Sequence, residues 1–276
     1  MQLIDTHCHL DVSDFDADRT QVLLRARAAG VAAIVVPGID AAGWGGLLAL
    51  CEDNADLIPQ LYSALGLHPV YVQRHRDVDL AALEQALEQS RPGRRPLAVG
   101  EIGLDFHDPE LDRDRQRGLC AAQLAIARGA QLPVLLHVRK AHEDMLRLLR
   151  DAKVVGGIAH AFNGSLEQAR RYLDLGFKLG FGGMLTFERS SRLRRLAREL
   201  PIESIVLETD APDLTVASHR FERNSPEYLP EVLAALAQVR DTAPEQIAVQ
   251  TSANARAVLG LNQSARIDGP ELIGRS

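Results

Sequence analysis

The regular alternation of two hydrophobic periods along the chain constrains its fold more than any other feature. Short β-rich runs fall at 2–8, 31–36, 61–67, 97–101, 133–137, 156–161, 177–181 and 204–208. The stretches between them, such as "QVLLRARAAG", "LAALEQALEQS" and "LCAAQLAIARGA", carry apolar residues at helical spacing. Gly30, Gly129 and Gly176 each lie just before a strand, as helix stops do. Strands alternating with helices build a parallel sheet, and eight of them point to a closed (β/α)8 TIM-type barrel of class α/β. An open doubly wound sheet is the poorer fit, because no G-x-G-x-x-G follows the first run. Two more helices are expected after the eighth strand, in "SPEYLPEVLAALAQV" and "APEQIAVQTSANARAVLG", each with Pro in its first turn and an acid beside it.

A length of 276 residues suits one barrel domain, assigned to 1–261, followed by a polar, poorly ordered tail over 262–276. "RPGRRP" (91–96) reads as a surface loop before the fourth strand. There is no apolar run of about 18 residues to span a membrane and no signal-peptide pattern. Three scattered cysteines, Cys8, Cys51 and Cys120, suit a reducing cytoplasm better than a disulfide framework. The net charge of −6 excludes a global basic field for long nucleic acid, so a polyanionic substrate must be attracted locally. The basic run "RLRRLAR" (192–198) has helical spacing and reads as a solvated helix face. No heptad pattern points to assembly, and a monomer is the default expectation.

Residues with ligand chemistry gather at the carboxyl ends of the strands, where such barrels place their active sites. In "IDTHCHL" (4–10), strand periodicity puts Asp5, His7 and His9 on one face and Thr6 and Cys8 on the other. Cys8 therefore reads as a small buried hydrophobe. Glu101 ends the fourth run, His137 the fifth and His160 the sixth, and Asp210 follows the eighth. Four imidazoles and two carboxylates exceed the needs of one tetrahedral ion and suit two divalent ions sharing a carboxylate. Glu101 is the expected bridge, with His7, His9 and Asp210 completing one site and His137 and His160 the other. A water between two such ions is acidified enough to attack near neutral pH, and Asp210 can accept its remaining proton. Asp5 and Glu208 lie two residues below His7 and Asp210 on the same faces, where they are expected to orient ligand imidazoles.

The pieces "DTHCHL", "ALGLHP", "VGEIGLD", "PVLLHVRKA", "IAHAFNGS", "GFKLGFGG", "VLETDAP" and "TSANARAVLG" run in order through nearly the whole chain. Together they resemble the TatD family of metal-dependent hydrolases. The resemblance implies a barrel with a two-metal centre that hydrolyses phosphodiesters, typically as a 3′–5′ exonuclease on single-stranded DNA ends supported by Mg²⁺ or Mn²⁺. It carries the ligand role to His7, His9, Glu101, His137, His160 and Asp210, and it places His68 and Arg139 near the substrate phosphate. Imidazole-rich ligation also favours zinc as the bound ion. Two departures stand out: "HAFNG" replaces the more usual Phe-Ser-Gly pattern, and "APDL" puts Asp213 where many members have Tyr. An acid there would repel a phosphate unless it is paired.

Beyond the metals, nucleic-acid contacts are sparse. Phe106, Phe162 and Phe187 fall near mouth loops where a base could stack, and Arg139, Lys140, Arg220 and Arg223 are candidate phosphate contacts. His75, His107, His142 and His219 read as surface or loop histidines. The leading expectation is a phosphodiesterase with a short end-binding cleft. An ester or amide hydrolase, such as an aminoacyl-tRNA deacylase, uses the same centre, and ligand spacing does not separate the two. A non-catalytic metal-binding protein fits less well, because Asp210 is available as a base.

Overall fold

The computed structural model describes residues 2–55, 57–89 and 95–261. The tail over 262–276 and residues 91–94 of the "RPGRRP" loop lie outside the described residues. Eight strands, β1 (Leu3–Asp5), β2 (Val31–Pro37), β3 (Gln60–Leu65), β4 (Ala98–Asp105), β5 (Val134–Arg139), β6 (Gly157–Ala159), β7 (Phe177–Phe181) and β8 (Ile205–Leu207), pair in sequence order, each neighbour parallel. The ring closes where Thr6 N donates to Leu207 O (3.0 Å), Asp210 N donates to His7 O (2.8 Å) and Cys8 bridges to Ala211. The helices α1 (Arg19–Ala28), α2 (Trp44–Asp53), α3 (Asp77–Glu88), α4 (Arg113–Ala130), α5 (His142–Ala152), α6 (Leu166–Asp174) and α7 (Ser191–Glu199) connect successive strands. The chain ends in α8 (Leu229–Arg240) and α9 (Pro244–Leu259). This is a (β/α)8 barrel. Among the described residues no helix is long and apolar enough to cross a membrane.

Two apolar layers hold it together. The larger packs the outward faces of the strands, among them Leu3, Ile34, Leu136 and Leu179, against the helices. The smaller joins Ile4, Val35, Leu135, Ile158 and Val206 with Ala255 and Leu259 of α9. Asn254 of α9 donates to Ile202 O and Ile205 O, and Ser252 to Gln2 O, so α9 plugs the amino-terminal end of the barrel. The opposite, carboxyl-terminal end is left for chemistry.

Two expected helix stops hold and one does not. Gly30 (φ 87°) and Gly176 (φ 83°) follow α1 and α6 in the left-handed region, where glycine carries no Cβ penalty. Gly129 instead lies inside α4, which ends at Gln131 (φ 54°) with the glutamine side chain donating to Arg128 O. A side chain able to satisfy a final carbonyl replaces the glycine at that stop.

Two buried glutamines of α4 fix the loops at the carboxyl end. Gln123 donates to Leu67 O and accepts from Leu67 N, and Gln116 does the same for Asp105. Each amide thus satisfies both backbone groups of its residue, Leu67 just past the end of β3 and Asp105 at the last pair of β4 with β5. Gln123→Leu strands one donor and one acceptor, each costing roughly 1–3 kcal/mol when buried. A loss of about 2 kcal/mol or more in unfolding free energy is expected from urea denaturation, and an unchanged midpoint would show that the loop does not depend on this amide.

Cys8, Cys51 and Cys120 are all free and buried. Burial pushes the Cys51 and Cys120 thiols up to about 12 and the Cys8 thiol well above its ordinary value. Thiolate is the reactive form. A thiol-specific reagent at pH 8 should therefore label none of the three in the native protein and all of them in denaturant; native labelling at stoichiometric level would contradict this packing.

Candidate metal centre

The step of two residues along a strand explains half of the site. Leu135, Ile158 and Val206 face the barrel interior, and two residues further on His137, His160 and Glu208 reach its mouth, with Asp210 two beyond Glu208. β4 follows a different rule. Its pairing with β5 shifts register between Val99 and Ile102, and the interior step runs from Ala98 to Glu101 instead of to Gly100. Glu101, 1% exposed, then sits at the centre of the cluster. Gly66 allows this approach, since a Cβ there would lie 2.7 Å from Glu101 O.

Glu101 divides the ligands between its two oxygens. Oε2 lies 3.2 Å from His7 Nε2 and 3.3 Å from His9 Nε2. Oε1 lies 2.8 Å from His160 Nε2, 3.0 Å from His137 Nδ1 and 3.3 Å from His68 Nε2. Asp210 Oδ1 stands 3.6 Å from His7 Nε2 and 3.8 Å from His9 Nε2. The structure thus brings together His7, His9, Glu101, His137, His160 and Asp210. His68, expected at the substrate phosphate, lies deeper, grouped with Glu101 and His137 at metal-ligand spacing. Arg139 is exposed at the end of β5 and lines the cavity that opens beside His137.

Electrostatics within the cluster are strongly coupled. Burial would raise the Glu101 carboxyl, but His68, His7 and His160 around it, with a hydrogen bond from His137, hold it well below the usual carboxylate range. Burial and the neighbouring His160 lower His7 to about 3. Burial also opposes protonation of His9, yet its hydrogen bond with Glu101 and the charges of Glu101 and Asp210 raise it to about 9. The donor set fits divalent cations. His7 Nε2 and His9 Nε2 face each other at 3.3 Å over one carboxylate oxygen, a contact in which lone pairs need a shared cation or proton. The buried Nδ1 atoms of His7, His9 and His160 have no hydrogen-bond partner among the described residues, which leaves the Nε2 atoms as the organised donors.

The carboxylates expected behind the ligands act differently from that expectation. Asp5 accepts from His7 N and Thr209 N and from Thr209 Oγ1 (2.6 Å), not from an imidazole. Strand β1 ends at Asp5, so its side chain ties the diverging backbones of the first and eighth strands together. Burial pushes its carboxyl up to about 7 despite those bonds. Glu208 accepts from Ala161 N (2.5 Å), while its distance to His160 Nδ1 is 3.8 Å. It therefore fixes the loop carrying His160, and burial raises it to about 8. Gly180 makes room for it, since a Cβ there would meet Glu208 Oε2 at 2.1 Å. The carboxylate that does bond a ligand imidazole is Asp105, whose Oδ2 lies 3.0 Å from His137 Nε2. Asp105 lies beyond the fourth run expected at 97–101, because β4 extends to it, and its even spacing from Glu101 is the signal the sequence carries.

Several peripheral expectations change. His75 and His142 are buried: His75 Nε2 meets His68 O (2.9 Å), and His142 lies between Tyr172 Oη (3.2 Å) and Asn163 Oδ1 (3.1 Å). His75 bonds the backbone beside His68, and His142 bonds two side chains, roles that a polar residue opening a helix or turn does not advertise. Phe162 is packed in the core and Phe106 is covered by Arg113 and Arg117, so neither offers a face to a base. Phe187 is half-buried. Arg223 is held by Asp18 at 2.8 Å. Phe221, which sequence reasoning passed over, is 89% exposed with Arg220 over its ring.

A family model described as TatD related DNase matches residues 4–260. An uncharacterized metal-dependent hydrolase of Escherichia coli K12, YjjV, is 42% identical over 248 residues, covering 90% of this chain and 93% of that protein. The crystal structure of YjjV, described as a TatD homolog, superposes with a TM-score of 0.88 at 39% identity, covering 94% of this chain and 98% of that one. A Rahnella protein named 3′-5′ ssDNA/RNA exonuclease TatD is 33% identical over 261 residues, covering 92% of this chain and 97% of its own length. Because the family match extends from the first strand to the cap of α9, the chain belongs to the TatD-related DNase family and is a metal-dependent hydrolase.

Proposed function

We propose that the protein is a two-metal phosphodiesterase that shortens single-stranded DNA from its 3′ end. Glu101 carries this reading: one carboxylate presents one oxygen to His7 and His9 and the other to His68, His137 and His160, so it suits a bridge between two cations. Such ions, Mg²⁺ or Mn²⁺ in turnover with Zn²⁺ favoured by the imidazoles, would acidify water and offset charge on a phosphoryl oxygen. The chain's own contribution is placement. Asp210 stands at the open side of the cluster, 13% exposed, positioned to take a proton from the attacking water. Arg139 at the mouth offers a guanidinium to a phosphate oxygen. The polarity and the single-stranded preference are carried over from the activity named for the Rahnella relative.

The test is digestion of a 5′-labelled single-stranded oligonucleotide with Mg²⁺, Mn²⁺ or Zn²⁺ supplied. Stepwise loss from the 3′ end is expected. Turnover of ester or amide substrates with no shortening under any of the three metals would replace this reading with a carbonyl hydrolase.

A further inference from the structure

The segment between β8 and α8 carries Phe221, the most exposed large apolar side chain among the described residues at 89%. A phenylalanine ring left in water forgoes the burial of about 150–250 Å². Phe221 also has φ 73°, in the left-handed region that a bulky side chain rarely adopts. One residue thus bears a solvation cost and a backbone cost together, a combination that points to function.

The loop holds the ring outward. Asn224 ties its ends: the backbone N donates to Pro212 O (2.9 Å), and Nδ2 donates to Thr209 O (2.7 Å) and Asp213 O (2.6 Å). Ala217 N donates to Thr186 Oγ1 (2.8 Å), beyond the end of β7. On one side of Phe221, His219 stacks on Tyr228 at 3.9 Å and meets Glu222 Oε2 at 2.8 Å. On the other side, Arg223 is held by Asp18. Arg220 lays its guanidinium over the ring, 4.6 Å from the centroid. Among the described residues no carboxylate lies within ion-pairing distance of Arg220.

These ties put the ring at the rim of the barrel mouth. Asn224 bonds Thr209, next to Asp210, and the three residues back to Phe221 reach about 11 Å at most. Asp213 and Leu214 line the cavity beside the metal cluster, whereas residues 215–224 do not. Phe221 therefore stands outside that cavity, on the path of a strand whose end lies at the metals. A fixed aromatic face beside an uncompensated guanidinium suits an unpaired base and its backbone phosphate, whatever the sequence. Bases inside a duplex are stacked on their neighbours and present no free face. The chain neighbours Arg220 and Glu222 are charged, a poor rim for the apolar centre of a protein interface.

We infer that Phe221, with Arg220, is a stacking platform for an unpaired base on the 5′ side of the bond to be cut, and so a determinant of single-strand preference. The inference rests on the phosphodiesterase reading and adds a contact outside the metal centre and its cavity.

The test is binding of a fluorescein-labelled phosphorothioate oligothymidylate, which resists hydrolysis, to the Mn²⁺-loaded full chain by fluorescence anisotropy. Phe221→Gly is expected to bind roughly tenfold or more weakly, the scale of one base stacked on an aromatic side chain, and Phe221→Trp as tightly as wild type. Glycine adopts φ 73° without strain, so Phe221→Gly should melt close to wild type, which separates lost stacking from lost fold. The same oligonucleotide made abasic at all but its 3′ residue should bind wild type as weakly as the full one binds Phe221→Gly. Equal affinity of wild type and Phe221→Gly, equal affinity of wild type for the two oligonucleotides, or no binding by wild type would overturn the platform. So would a dimer in sedimentation velocity that Phe221→Gly abolishes with oligonucleotide binding retained, which would give the ring to a contact between copies. Hydrolysis of bis(p-nitrophenyl) phosphate by wild type decides the phosphodiesterase reading separately: its absence removes that reading, while Phe221-dependent oligonucleotide binding still supports the platform.

Discussion

Asp210→Asn is expected to lower the rate of oligonucleotide shortening by ~10²–10⁴-fold, the range that a positioned general base contributes, while leaving the fold intact. The substitution separates chemistry from architecture unusually well at this position. Asp210 has φ 58°, a left-handed backbone that aspartate and asparagine tolerate better than other side chains with a Cβ. Its amide donates to His7 O at 2.8 Å, part of the closure between the eighth and first strands, and asparagine keeps that bond. What disappears is the charge and basicity of a carboxylate whose Oδ1 lies 3.6 Å from His7 Nε2 and 4.0 Å from His160 Nδ1. Burial raises the Asp210 carboxyl above its ordinary value, so the folded chain disfavours that charge when no cation offsets it. With metal removed, the variant should melt at the same temperature as wild type or slightly higher. Thermal melting and single-turnover rates measured on one preparation check both parts. A variant that shortens DNA at the wild-type rate would remove Asp210 from the mechanism.

How far the site was legible depends on how each residue is delivered. His137, His160 and Asp210 follow regular two-residue steps from buried interior positions, and a local period is visible in the sequence. His7 and His9 lie beyond the end of β1, yet the alternation with Cys8 persists because Cys8 bridges to Ala211 and keeps the backbone extended. The order and number of strands were equally legible, since each is bounded by helical spacing. Strand ends were not. β4 continues to Asp105 because its residues 102–105 pair with 136–139 of β5, a partnership made across more than thirty residues. Without that register, Asp105 reads as a loop acid. The same limit hid His142 and Asn163, whose hydrogen bond joins the start of α5 to the loop after β6. Asp5 and Glu208 were located correctly but given imidazole partners, whereas the free backbone N–H groups of the loops around them were nearer and accept no substitute when buried.

Glu101→Gln is the substitution expected to have the widest consequences, because the two oxygens of this side chain serve different groups of imidazoles. Histidine ligands such as His9 contact one oxygen only. Losing His9 should therefore weaken one metal position, whereas losing the Glu101 charge should weaken both together. Equilibrium dialysis against Mn²⁺ or Zn²⁺, read by elemental analysis, is expected to give near two equivalents for wild type, about one for His9→Gln at moderate free metal, and a reduced value for both positions in Glu101→Gln. The amide also leaves His7, His68 and His160 without the anion that now faces them, so any proton they carry is uncompensated in a buried space. Several kcal/mol of charge stabilisation are at stake in a two-metal site, which corresponds to ~10³-fold or more in turnover. If Glu101→Gln lost one equivalent and kept the other at wild-type affinity, the carboxylate would belong to a single ion, and His68 with His137 and His160 would have to hold the second unaided. Two equivalents at undiminished affinity would mean that the imidazoles alone organise the centre, and that Glu101 is retained to balance their charge.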